Sequence, residues 1–206
     1  FSGNTRYRIT LTVTDSTGLT ASKVVTIWPT KVNLTFDTVP TGLTVYLAGI
    51  ALVQAVQKGG NLKDPSVVAA VNALDANSVA LSKAVGAAYP DAEKPFLESW
   101  RQHIGFFVNY TLGKATKNEA MATKAKKDLD GYRTSFGQLI NSVVPQLPAD
   151  AVAKELIPHV QTLLDTIDAL VAGKTSVFSD LEMAAMHMPG TAKILAGGIA
   201  ANKKLS

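Results

Sequence analysis

Three histidines are the side chains of this sequence that are best suited to chemistry. His103, His159 and His187 each stand beside the apolar stripe of a predicted long helix. A neutral imidazole is a good ligand for zinc, copper or iron, and Glu155, one turn before His159, adds a carboxylate. If the three imidazoles met in the core of a helical bundle, they could hold one ion. The sequence therefore predicts a metal site formed by these four residues.

The methionines around His187 bear on which metal such a site would take. Met183, Met186 and Met188 flank this histidine, and soft thioether ligands favour copper, so Met188 joins the candidate ligands. The alternative is structural. A histidine at the edge of a core commonly donates to a carbonyl or carboxylate group, and methionine fills gaps in helical bundles.

Two familiar motifs fail when their spacing is checked. A ferritin-like di-iron centre needs a Glu three residues before each His, but Trp100, Leu156 and Ala184 occupy those positions. Gly173-Lys174-Thr175 looks like the end of a phosphate-binding loop, yet it follows a predicted helix and not a strand. It is more simply explained as a helix end with a glycine cap.

The remaining residue types give no reaction. The chain has no cysteine, which excludes a thiol nucleophile, a disulfide framework and thiolate metal ligands. Asp165 and Asp168 share a predicted helix, but no basic or nucleophilic partner is identifiable for them. We therefore predict a protein that is not an enzyme and has no catalytic residues.

Charge and hydropathy argue against two classes of partner. The net charge is +4, and the densest basic run, from Lys124 to Lys127, is followed at once by Asp128 and Asp130. Such a run is typical of a solvated helix face and not of a nucleic-acid reader. No apolar stretch reaches the roughly 20 residues of a membrane span. We expect neither nucleic-acid binding nor a membrane-spanning segment.

The elements that must position these residues fall into two parts. Residues 1–49 are rich in Ser and Thr and contain only two alanines, Ala21 and Ala48, whereas alanine recurs throughout residues 50–206. We predict an incomplete β module over residues 1–49, a linker over 50–64 and a helical bundle over 65–206. The fold class is thus a two-part α+β arrangement.

Alternation with period two dominates the start of the chain. Residues 7–15 place Tyr7, Ile9, Leu11 and Val13 on one face of a strand, which is expected to face a core. After a turn at residues 15–18, a second strand returns over residues 21–28, and further strands are predicted at 32–36 and 43–47. The result is an antiparallel sheet or a partial immunoglobulin-like sandwich.

This region carries two resemblances. The stretch from Gly3 to Ile27, with Tyr7 to Asp15 and Gly18-Leu19-Thr20, resembles the C-terminal strand pair of PKD domains, which are immunoglobulin-like modules of secreted and cell-surface proteins. The stretch from Val39 to Gly49 is similar to the opening of a small surface β module of the PEGA kind, although Ala48 stands where that module usually has Asp. The resemblances imply an extracellular or cell-surface location.

Periodicity of three to four residues dominates the rest. It predicts five helices, over about 65–88, 91–112, 118–144, 149–172 and 176–200. Residues Trp100 to Ile104 align with Leu156 to Val160, so the antiparallel bundle contains an internal hairpin repeat, about 66–117 and 118–174, with 176–200 as a final helix. The stretch from Leu74 to Ile199 is similar to uncharacterised helical domains of secreted bacterial proteins.

Two functions from different classes follow from these patterns. A small sheet with open edges needs a cover, either from the helical part, from preceding sequence or from a strand of a neighbouring chain. We expect a non-enzymatic secreted or cell-surface structural or adhesion protein, with self-association through β edges into a filament or surface layer and with other surface proteins or glycans as possible partners. The alternative is an extracellular helical metal-binding protein with a β spacer, whose cofactor would be copper, zinc or iron.

Overall fold

The computed structural model describes residues 7–14, 16–27 and 43–204, and it confirms a two-part α+β fold. A two-stranded sheet precedes six α-helices. The strands are β1 (Tyr7–Thr14) and β2 (Thr20–Ile27), and the helices are α1 (Leu43–Gln57), α2 (Pro65–Ala88), α3 (Glu93–Ala115), α4 (Glu119–Val143), α5 (Ala149–Val171) and α6 (Val177–Asn202). None of the helices in these ranges combines the length and the apolar character that a membrane crossing needs.

The hairpin forms where alternation predicts it. The two strands are antiparallel, with Leu11 opposite Lys23 and Val13 opposite Ala21. Gly18, in the turn, has a φ of 84°, a conformation that glycine adopts without steric cost. The predicted strand at 32–36 lies outside the described residues, and the described part of the chain does not show an immunoglobulin-like sandwich.

The predicted strand at 43–47 is wrong, because these residues form the first turns of α1. The β-branched and aromatic residues there favour a strand locally, but Val45, Gly49 and Leu52 recur at helical spacing and are buried against the bundle. Burial of this stripe outweighs local preference. The helix also extends through residues 50–57, about half of the predicted linker at 50–64, and it takes the place of the second strand of the PEGA-like pair.

The five predicted helices are confirmed, with ends within three residues of those expected. Their boundaries follow from local chemistry. Asp64 caps α2 by accepting a hydrogen bond from the Ser66 amide at 2.9 Å, and Asn118 caps α4 by accepting one from the Met121 amide at 3.1 Å. Gly173, with a φ of 65°, ends α5 as the predicted glycine cap.

Each helix packs against the next one along the chain, and α1 also contacts α3, α5 and α6. Glycines allow two of these helix pairs to approach closely. A Cβ atom at Gly137 in α4 would overlap the carbonyl oxygen of Ala149 in α5, and one at Gly113 in α3 would lie 2.6 Å from the Ala122 amide of α4. Two buried clusters result, one around Leu129 and Ile167 and the other around Phe136 and Leu156.

Candidate binding cavity

An apolar cavity of about 90 Å³ lies inside the second of these clusters. Its walls come mainly from α2 to α6. A second cavity, of about 80 Å³, lies beside it and extends towards α1. The two share Thr44, Trp100, His103, His159 and Met188 as lining residues. The candidate histidines 103 and 159 therefore stand where two internal spaces adjoin.

Two of the side chains that line both cavities, Trp100 and His103, are positioned by the apolar stripe of α3. Phe96, Trp100, His103 and Phe107 recur at steps of three and four residues, so they share one face of this helix. The Phe96 and Trp100 rings stack with centroids 5.3 Å apart, and the Trp100 and His103 rings meet edge to face at 4.6 Å. The result is a continuous row of rings along the cavity wall.

Three nitrogen atoms in this region are buried without a hydrogen-bond partner among the described residues: Trp100 Nε1, His103 Nδ1 and His159 Nδ1. His103 and His159 are 5% and 6% exposed, so both are more than nine-tenths buried. A buried polar group without a partner costs about 1–3 kcal/mol of stability. Three such atoms on the walls of one internal space are a departure from ordinary core packing.

Both buried imidazoles are neutral at pH 7. Burial first, and then the neighbouring His159, lower the pKa of His103 to about 3, while the Trp100 backbone acts in the opposite direction. Burial first, and then His187, lower the pKa of His159 to about 4. A neutral imidazole carries one N–H donor and one acceptor nitrogen. The two rings are therefore able to accept or donate a hydrogen bond without carrying charge.

His187 belongs to a separate polar group at the edge of the bundle. Its Nε2 atom lies 3.8 Å from Glu155 Oε1, and its Nδ1 atom lies 3.4 Å from Thr191 Oγ1. The Thr191 hydroxyl donates to Glu155 Oε1 at 3.2 Å, so its oxygen is available to accept from the His187 Nδ1–H. Glu155 is therefore linked to His187 through the Thr191 hydroxyl, because 3.8 Å is too long for a direct hydrogen bond.

The five predicted metal ligands lie in one region without forming a metal centre. The His159 and His187 ring centroids are 6.5 Å apart, and Met188 lines both cavities. However, no group of three or more His, Asp or Glu side chains in residues 7–14, 16–27 and 43–204 is arranged to hold an ion. Met183 and Met186 are 56% and 67% exposed, away from any such centre. The metal site stays a prediction from sequence, with no geometric support.

The carboxylates of α5 are engaged separately. Asp168 accepts a hydrogen bond from the Tyr110 hydroxyl at 3.1 Å and lies 3.4 Å from Lys114 Nζ. Asp165 is exposed and accepts from Gln161 at 2.8 Å. Burial and the nearby Asp168 carboxylate raise the pKa of Tyr110. These contacts tie α3 to α5, and they do not pair the two carboxylates for acid and base chemistry.

The hairpin presents a second candidate surface. Cross-strand register places one set of side chains on a single face, which we call the hairpin face: Ile9, Leu11, Val13, Ala21, Lys23 and Val25. Ile9, Leu11 and Val13 are 55%, 65% and 60% exposed. The expectation that this face lies in a core is therefore not met within the described residues. Alternation identifies the apolar face of a strand, but it does not specify what covers that face.

Sequence reasoning missed the role of Trp100 and the cavity itself. In the hairpin repeat Trp100 aligns with Leu156, and the replacement of an aliphatic residue by one with a ring N–H is the available signal.

Comparison of the chain with protein-family models, curated proteins and solved structures finds no match. The class of the protein is therefore defined by its fold alone, which in the described residues consists of a β hairpin and a bundle of six α-helices.

Proposed function

We propose that this protein is a non-enzymatic structural or adhesion subunit of the cell surface or extracellular space, and that it self-associates through β1. The observation that carries the proposal is the exposed hairpin face. Full burial of a Val, Leu or Ile side chain contributes about 1.5–3 kcal/mol relative to exposure. An isolated two-stranded hairpin is only marginally stable in water, so this face and its edges favour a covered state.

A second copy of the chain is the occupant that the sequence of β1 favours. From Ile9 to Val13 the strand reads apolar, polar, apolar, polar, apolar, which is symmetric about Leu11. Two β1 strands paired antiparallel about this residue would place Leu11 beside Leu11 of the copy and Ile9 beside its Val13. Such a contact is isologous, and it would produce a four-stranded sheet whose two central strands present adjoining apolar residues, with Lys23 of each copy on the outer strands.

The β2 edge is less suited to the same contact. An equivalent antiparallel pair of β2 strands centred on Lys23 would bring two ammonium groups together on one face. Like charges directly opposite one another destabilise a strand pair, and lysine on an edge strand is a common protection against unwanted pairing. The opposite face of the hairpin is polar, and there Thr12 and Ser22 hydrogen bond to each other at 2.9 Å.

Light scattering on a sizing column, over a range of concentrations, tests the proposal. Wild-type protein is expected to give a mass of at least two chains. Leu11→Glu should give a monomer, because two carboxylates would meet at the centre of the β1 contact. The hairpin itself should be preserved, because within one chain the new carboxylate lies opposite Lys23.

Ser22→Glu is the matched control. It adds the same charge to the same hairpin, but on β2 and on the polar face. This variant should retain the wild-type mass. A wild-type chain that is monomeric at all concentrations, with hydrogen exchange showing the cross-strand amides of the hairpin protected, would overturn the proposal. Equal loss of assembly in both variants would also count against a contact centred on Leu11.

A further inference from the structure

From the cavity walls, we infer that the bundle binds an uncharged, mostly apolar molecule that carries a hydrogen-bond-accepting oxygen, such as a ketone, between α3 and α6. This site is independent of the hairpin contact. The apolar walls define the body of the ligand, and the unpartnered indole N–H of Trp100 defines its polar group. Ligand cavities commonly combine apolar walls with a few convergent polar groups.

The size of the space supports a guest larger than a water molecule. A single water needs about 10–15 Å³ of such volume. The two adjoining cavities of about 90 and 80 Å³ exceed this several times over, and both are bounded by Trp100, His103, His159 and Met188. A flat or elongated molecule could therefore extend from one space into the other past the histidine pair.

The polarity of the walls selects an oxygen acceptor. The indole Nε1 of Trp100 is a donor and cannot accept. The Trp100 side chain lines both cavities and its Nε1 has no partner among the described residues, so this N–H is the candidate donor for one ligand oxygen. A ligand that carries an acceptor gives this buried donor a hydrogen-bond partner. Such a ligand is therefore favoured over a ligand of the same shape that has no acceptor.

The lining also selects against charge. Among the described residues, no Lys, Arg, Asp or Glu lines either cavity. The histidines resist protonation because burial lowers the pKa of both. An anion in this space would have no cation to pair with, and the cost of burying an unpaired charge is far larger than that of burying a neutral polar group. A carboxylate is therefore excluded, and a neutral carbonyl is accepted.

Three probes of similar shape separate these contributions: acetophenone, which has a ketone, ethylbenzene, which lacks the acceptor, and benzoate, which is charged. The protein is titrated with each probe, and the affinity is obtained from the shift in the unfolding temperature. We expect acetophenone to bind about tenfold or more tightly than ethylbenzene, and benzoate not to bind. Equal affinity of the ketone and the hydrocarbon would overturn the proposal, as would an absence of binding by both.

Trp100→Phe tests the donor directly, because it keeps an aromatic ring and removes the N–H. The preference for acetophenone over ethylbenzene should then fall to about twofold or less, while ethylbenzene affinity is retained. An unchanged preference would overturn the role of the indole. If this variant does not fold, the indole proton of Trp100 can be followed by NMR in a Trp28→Phe chain. Acetophenone should move this proton downfield of its position with ethylbenzene, because only the ketone accepts a hydrogen bond. The same position with both ligands would overturn the proposal.

Discussion

The imidazole ring of His103 in α3 stacks on the phenol ring of Tyr132 in α4, with centroids 4.8 Å apart and planes inclined by 14°. Both side chains are buried, at 5% and 5% exposure. Desolvation raises the pKa of Tyr132 and lowers that of His103, so both rings of the stack are neutral at pH 7. A proton added to His103 would place an unpaired charge between two helices.

Stability is therefore expected to fall as the pH drops from about 6.5 towards 4. His103 and His159 have folded-state pKa values of about 3 and about 4, below the ordinary value of 6.5. The unfolded chain binds more protons in this window. The free energy of unfolding is therefore highest above pH 6.5, and it falls as the pH approaches the folded-state pKa values. Each histidine contributes at most about 1.4 kcal/mol per pH unit, which urea unfolding at pH 7, 6 and 5 would measure.

His103→Phe is the control for this pH dependence. The variant keeps a ring against Tyr132 and removes one titrating group, so the slope of stability against pH should fall to about half. His187 remains in both chains, and so does its contact with Glu155. A slope that is the same in wild type and variant would contradict the assignment of the acid sensitivity to the buried pair.

Gly137→Ala should destabilise the bundle, because the new methyl group would collide with the Ala149 carbonyl across the contact of α4 and α5. Overpacking of this kind costs about 1–3 kcal/mol. Gly131→Ala, on the same helix, adds the same methyl group where no atom lies within 4 Å. That control should stabilise by about 0.5–1 kcal/mol, because alanine loses less backbone entropy. Thermal unfolding of both chains would show opposite shifts, and shifts of the same sign would contradict the packing.

Metal analysis decides between the two functions that the sequence suggests. Among the described residues, no group of three or more His, Asp or Glu side chains is arranged to hold an ion. After incubation with zinc or copper and dialysis, we expect no stoichiometric metal in wild type, and no difference from a His103→Ala, His159→Ala double variant. One ion per chain that is lost in the double variant would support the metal-binding alternative instead.

The sequence specifies the helices well where the signal is local. Three local signals each act over one helical turn: Asp64 with Pro65 at the start of α2, the Asn118 cap of α4 and Gly173 after α5. Helical periodicity connects these signals. Residues 43–47 favour a strand locally through their β-branched and aromatic side chains, whereas the burial of Val45 and Leu52 by distant helices decides for a helix.

The candidate site was predictable only in part. The helical stripe places His103 and His159 near the core, but whether each imidazole meets a ligand, a carboxylate or a cavity depends on helices that are far apart in sequence. The Trp100 nitrogen without a partner and the adjoining cavities are consequences of packing, and no local pattern signals them. Likewise, alternation identifies the hairpin face without indicating its exposure.

Hydrogen exchange along β1, measured at low and high protein concentration, tests the proposed self-association most directly. The amides of β1 that point away from β2 have no partner strand within the described sheet, so their protection reports on pairing with a second chain. The proposal predicts that protection of these amides rises with concentration, whereas that of the outward amides of β2 does not. Protection of β1 that is independent of concentration would contradict the proposal.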